Sequence, residues 1–103
     1  MSDWPIGIST GCFYKTNILD ILEIVRDGGF SMIEICSFPK HLDYHDYDKV
    51  KTTARRIKEV GLEPFSFHAP FADHIDITSL DENTRANSVN EVITATEAAA
   101  ELG

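Results

Sequence analysis

The chain has 103 residues, enough for one modest domain, with 43% hydrophobic and 25% charged residues, the ordinary balance of a soluble globular protein. No apolar run approaches the ~20 residues a membrane helix needs, and Met1-Ser2-Asp3-Trp4-Pro5 lacks the basic region and apolar core of a signal peptide, which points to the cytoplasm and to no membrane partner. The net charge of −8 argues against a broad nucleic-acid surface, since phosphates need clustered Lys and Arg.

The basic residues that come close together, Lys49, Lys51, Arg55, Arg56 and Lys58, are spread by helical spacing over a solvated face. Cys12 and Cys36 have no metal-site spacing and are too few for a disulfide framework. They read as reduced, partly buried thiols behaving as small hydrophobes.

Ile6 to Thr10 is a β-branched run interrupted by Gly7, a first strand entered after Pro5 and ended by Gly11. Cys12-Phe13-Tyr14 falls in the loop beyond it. Thr16 or Asn17 caps a first helix, in which Ile18, Ile21, Leu22 and Val25 recur three and four apart. Gly28-Gly29 stops it, because glycine takes the left-handed conformation of many helix ends.

Met32 to Cys36 is a second strand. Its mostly apolar run without clean alternation suits a strand covered on both faces. Ser37 to Lys40 breaks it, and the polar, aromatic segment from His41 to Asp48 reads as a long connecting loop. Asp48 is the expected N-cap of a second helix with Val50, Ala54, Ile57 and Val60 inward and Gly61 as its stop.

The third strand is Glu63-Pro64-Phe65-Ser66-Phe67, with Phe65 and Phe67 alternating with Ser66 on a buried strand. Pro64 sits at the entry, where a missing N–H costs little. Pro70 restricts Ala69 and fixes the geometry in which extended structure ends. His68 therefore lies at the carboxyl end of the strand, the edge where parallel α/β architectures bind ligands. Ala72 to Ile77 is an acidic, irregular loop. Ser79 and Glu82, three apart, have the signature of a capping box. A third helix is expected from about Asp81 to Leu102, with Ala86, Val89, Ile93, Ala99 and Ala100 inward and Gly103 as its cap.

The order βαβαβα predicts an α/β fold of parallel strands joined by right-handed crossovers, with no second domain over residues 1–103. Three parallel strands with both sheet edges open make a poor independent unit. The chain thus reads as the first three βα units of a (β/α)8 TIM barrel with outer helices, somewhat under half of the ~250 residues such barrels take.

These stretches resemble the sugar phosphate isomerase/epimerase proteins of the xylose-isomerase-like TIM-barrel superfamily. The residues that carry the resemblance are Ile6 to Gly11, Gly29 to Ile35, Ser66-Phe67-His68-Ala69-Pro70-Phe71 with Asp76 to Asp81, and Ala98 to Gly103. It spans nearly the whole chain but only three of eight units. It implies a divalent metal (Mn, Mg, Zn or Co) held by His, Asp and Glu at carboxyl ends of strands, with most ligands and the acid/base carboxylates on later strands. In the related apurinic-site endonucleases a histidine ending the third strand binds zinc. His68 matches that position, while Ala69-Pro70-Phe71 fits the isomerase branch better.

His68 is thus read as a wall of the site, a substrate contact or metal-shell residue, against a structural histidine at a strand end. A metal needs three or four converging donors, and one histidine does not supply them. Glu34, inside Ile33-Glu34-Ile35, is costly unless paired or at the barrel mouth. It orients a sugar hydroxyl or a ligand histidine, or is satisfied by a basic neighbour. Cys12, Phe13 and Phe71 are candidate substrate contacts, because aromatic rings suit the apolar face of a sugar; core packing is the alternative. Asp73, His74 and Asp76 read as a solvated loop with capping duties. His41 and His45 would share a face only on a helix and are not read as ligands. No glycine-rich phosphate loop and no serine nucleophile elbow occurs.

The leading expectation is therefore the N-terminal part of a metal-dependent isomerase/epimerase acting on a sugar or sugar phosphate by proton transfer beside a carbonyl. The isolated chain is expected to be inactive. The alternatives are an apurinic-endonuclease-like phosphodiesterase and a non-enzymatic βα module that forms homo-oligomers through its open edges.

Overall fold

The computed structural model describes residues 4–103; Met1-Ser2-Asp3, part of the stretch read as lacking a signal, lies outside the described residues. Three parallel strands, β1 (Gly7–Ser9), β2 (Met32–Ile35) and β3 (Glu63–Phe67), form one sheet in the order β1-β2-β3. Three helices, α1 (Leu22–Asp27), α2 (Tyr47–Val60) and α3 (Glu82–Leu102), follow the strands in alternation. The α/β class and the parallel βα order are as the sequence predicts.

The helices cover one face of the sheet. Ile33 and Ile35 point into that layer and are buried among Leu22 and Val25 of α1, Val50 and Ile57 of α2, and Ala98 and Leu102 of α3. Each of the Ile, Leu and Val side chains contributes about 1.5–3 kcal/mol on leaving water. The opposite face is open. Met32 and Glu34 alternate outward with Ile33 and Ile35, so β2 is covered on one face and not on two. Gly7 belongs to this sheet for a steric reason: a Cβ there would meet the Met32 carbonyl oxygen at 3.2 Å.

β3 differs from the buried strand expected. Its register with β2 slips between Ile33 and Glu34, so that Ile33 faces Pro64 and Glu34 faces Ser66. Phe65 is the extra residue of this bulge and is 73% exposed. Phe67 alone keeps its place against the core. A period-two pattern assigns faces only while the register is unbroken.

The helix boundaries also move. Asn17 does cap a helical turn, its side chain accepting the Leu19 N–H at 2.9 Å, but that turn is a 3₁₀ segment (Ile18–Asp20), and α1 starts only at Leu22. Gly29, at φ 97°, supplies the left-handed residue behind α1. Asp46, not Asp48, caps α2 by accepting the Lys49 N–H at 3.2 Å. The turn from Asp43 to Asp46 closes early and leaves Tyr47 and Asp48 inside the helix. Gly61, at φ 88°, ends α2 as expected.

For α3 the capping box is replaced. Asp81 is the cap, its carboxylate accepting the Thr84 N–H at 2.9 Å, and Ser79 Oγ accepts the Asp81 N–H at 3.2 Å. The inward face is rotated as well. Ser88, Ala95, Ala98 and Leu102 are buried, Ala99 is half-buried, and Val89, Ile93, Ala86 and Ala100 face out. Both free cysteines differ in setting, Cys12 exposed and Cys36 buried. Among the described residues, no helix is long and apolar enough to cross a membrane.

Candidate functional site

The carboxyl ends of the three strands meet at a cleft of about 430 Å³, within the usual range of small-molecule sites. Each strand delivers its loop differently. Ser9 ends β1, and its Oγ accepts the Gly11 N–H at 3.1 Å, bending the chain into a 3₁₀ turn (Thr10–Phe13). Buried Thr10 accepts the Cys36 N–H at 2.9 Å and so joins the tops of β1 and β2. The ladder continues one residue past β3, where the His68 N–H donates to the Ile35 carbonyl at 2.8 Å.

That turn decides which residues reach the cleft. It sends Phe13 against the core, leaves Cys12 exposed to solvent and away from the lining, and brings Tyr14 to the wall. Tyr14 packs on Phe38 with ring centroids 5.0 Å apart. Across the cleft, His68 packs on Phe71 at 5.5 Å. Pro70 and Tyr44, both buried, and exposed His74 complete the part that matters for recognition. Among the described residues, the lining has no Asp, Glu, Lys or Arg. Of the residues singled out in the sequence, His68 and Phe71 come together here. Glu34 lies elsewhere, on the open sheet face, where Ser66 donates a hydrogen bond to its Oε2 at 2.9 Å and Ser9 shares its register.

His68 has a defined polarity. Its Nδ1 lies 2.8 Å from the Ala69 carbonyl oxygen, which only accepts. In the neutral ring this contact places the proton on Nδ1, and Nε2 then offers a lone pair to a hydroxyl, a proton or a metal. The same orientation serves histidine ligands whose outer nitrogen bonds a carbonyl. The divalent metal implied by the resemblance needs more. Among the described residues no group of three His, Cys, Asp or Glu side chains converges, so these residues alone do not fit a metal centre.

Tyr14, Phe38, Tyr44 and His74 went unselected in the sequence. The available signal was weak: Asp43-Tyr44-His45 is a run of chemistry-bearing residues after a strand, within a segment read only as a polar loop. Tyr44 is 5% exposed, and its hydroxyl donates to Glu91 Oε2 at 2.5 Å. Burial first, then the Glu91 carboxylate, push its pKa well above the ordinary phenol value. His41 is buried against the first connection, its Nδ1 at 2.7 Å from the Thr16 carbonyl oxygen, and burial lowers its pKa. It is separated in role from His45, which faces out. In the acidic loop, Asp76 accepts from the Thr78 N–H at 2.8 Å, and its own N–H donates to Ser88 Oγ at 2.7 Å.

A larger hollow, about 600 Å³, lies at the opposite edge of the sheet between α2, the start of β3 and the end of α3. Lys51, Arg55 and Lys58 share it with Glu63 and Glu101. The carboxyl edge is the better candidate, because the βα loops of a parallel sheet gather there and not at the amino edge. Compared with known proteins, the chain matches no family model, and no curated protein or solved structure is significantly similar to it.

Proposed function

We propose that this chain forms the first three βα units of a barrel-type sugar isomerase/epimerase and contributes a sugar-binding wall to it. The observation that carries the reading is the cleft: aromatic rings and imidazoles at the carboxyl edge of a parallel sheet, with no carboxylate, ammonium or guanidinium among the described residues of its lining. Tyr14, Phe38 and Phe71 offer apolar surface to the C–H face of a sugar ring, and His68 Nε2 accepts from one hydroxyl. A phosphate would meet no Lys or Arg among the described residues of this wall. The sugar, not a phosphate attached to it, is therefore what this portion binds. The open sheet edges and the uncovered face carrying Glu34 fit a sheet continued by further strands.

Within this chain the residues bind and orient. His68 holds a substrate oxygen, and Glu34 with Ser66 presents a hydrogen-bonded carboxylate on the face that a closed barrel would turn inward. No step is assigned to a metal, since the donors present do not assemble one.

The test is ligand titration by NMR with a panel of neutral aldoses and ketoses. Shifts confined to His68, Phe71, Tyr14 and Phe38, weakened about tenfold or more in Phe71→Ala (the loss of ~1.4 kcal/mol, within the worth of one aromatic contact), are expected. Binding should occur without turnover. Shifts elsewhere, or none with any sugar, would overturn the assignment.

A further inference from the structure

Asp43 and His45 of the loop between β2 and α2, with Glu91 of α3, form a group of side chains that sugar binding does not use. His45 Nδ1 lies 3.0 Å from Asp43 Oδ1, and its Nε2 lies 2.7 Å from Glu91 Oε2 on α3. Carboxylate oxygens accept and do not donate. A ring with a carboxylate at each nitrogen is satisfied only when both nitrogens carry hydrogen, as imidazolium. The same Glu91 oxygen takes the Tyr44 hydroxyl, and the Tyr44 and His45 rings stack at 4.2 Å. Tyr44 in turn forms wall of the cleft.

We propose that His45 is a proton-operated clasp, which fastens the β2–α2 loop to α3 while it is charged and thereby holds Tyr44 in the cleft wall. When the ring loses a proton, one nitrogen turns a lone pair toward a carboxylate, and one of the two bonds becomes a repulsion. The clasp stands whether or not the cleft takes a sugar.

The surrounding groups set its working range. From the loop come Asp43 and Tyr44, from α3 Glu91, from α2 Lys49 acting on Asp43, and from the acidic loop His74 acting on Glu91. Desolvation alone would lower the His45 pKa, but hydrogen bonds to Asp43 and Glu91 and their charges outweigh it and raise it. Glu91 is held below the usual carboxylate range, first by the Tyr44 hydroxyl, with His45 adding to it. Asp43 is lowered against its own desolvation by the His45 N–H and ring. A raised histidine stabilises fully below its unfolded pKa of about 6.5, and lowered carboxylates stabilise fully above theirs of about 4. The clasp is therefore complete from about pH 5 to about pH 6.5 and opens as pH rises through the folded pKa of His45.

The experiment is a side-chain ¹⁵N titration of the full chain from pH 5 to pH 9, with the Tyr44 ring signals followed in parallel. The expected result is a His45 midpoint above the ordinary histidine value, both ring nitrogens protonated below it, and Tyr44 moving at the same midpoint. Glu91→Gln should lower the midpoint and uncouple Tyr44. Asp43→Asn, which leaves the bond to α3 in place, should lower the midpoint and keep Tyr44 coupled. A wild-type His45 midpoint at or below the ordinary value, or a Tyr44 ring that does not respond, overturns the clasp, and neither result needs a variant to fold.

Discussion

α2 and α3 lie side by side on the same face of the same sheet, yet they are held there by different means. α2 presents Val50, Thr53, Ile57 and Val60 to the core at spacings of three and four, and solvates the rest with Lys, Arg and Glu. α3 buries Ser88, Ala95, Ala98 and Leu102, while Val89 and Ile93 stay 45% and 51% exposed. A steep contrast in polarity selects the inward face of α2. α3 has weak contrast, and size selects instead: alanines allow close approach to the sheet layer. Ser88 costs little to bury because both its roles are used, its Oγ donating to the Thr84 carbonyl at 2.6 Å and accepting the Asp76 N–H at 2.7 Å.

The comparison breaks first at Ile57. It is 1% exposed at the centre of the α2 contact, and Ile57→Ala should cost about 2–5 kcal/mol. A urea unfolding midpoint that barely moves would mean that α2 is not the helix that holds the core. The counterpart on α3 is an enlargement. Ala98 is 5% exposed, and Ala98→Leu should destabilise by about 1–3 kcal/mol through overpacking. If Ala98→Leu stabilises instead, the close approach of α3 is not set by alanine size.

The two helices also differ at their ends. Gly61 closes α2 at φ 88°, with nothing within 4 Å of the place a Cβ would take. Gly61→Ala therefore isolates backbone strain, about 1–2 kcal/mol for an L residue held left-handed. At the start of α3, Asp81→Ala should cost about 1 kcal/mol as a lost cap, and Glu82→Ala much less. Equal losses at both positions would restore the capping box read from Ser79 and Glu82.

What was legible follows the same division. The strand–helix order, Gly61 as a stop, Val50, Ile57 and Val60 on the buried face of α2 and the place of His68 at a strand end all come from local signals: periodicity, glycine and proline. Thr53, by contrast, takes the buried place expected of Ala54, which is half-buried. What was not legible depends on register or on distant partners. Phe65 alternates properly with Phe67, but the bulge opposite Ile33 and Glu34 turns it out. Phe13 and Tyr14 are adjacent, and only the Ser9-capped turn tells which one faces the cleft. Asp43 and His45 lie far in sequence from Glu91, so no spacing rule pairs them. Glu34 was marked as a carboxylate that is costly unless paired or at a barrel mouth; it lies half-exposed on the open sheet face and accepts from Ser66, not from a basic side chain.

The smallest effect makes the sharpest test of how α3 is chosen. If apolar content decided its orientation, Ile93 would be the residue that matters, since it is larger than any alanine on the helix. The structure leaves it half in water with the buried stripe on the other side. Exposed positions of this kind change stability by no more than about 0.5 kcal/mol. Ile93→Gln should therefore leave the unfolding midpoint within that range, although it removes a large aliphatic side chain from a helix of modest polarity. A loss of about 2 kcal/mol or more, the scale of a core truncation, would show that Ile93 is covered in solution and that α3 is turned toward the face its sequence first suggests. A null result would leave size and hydrogen bonding, at Ala98 and Ser88, as the determinants of how this helix meets the sheet.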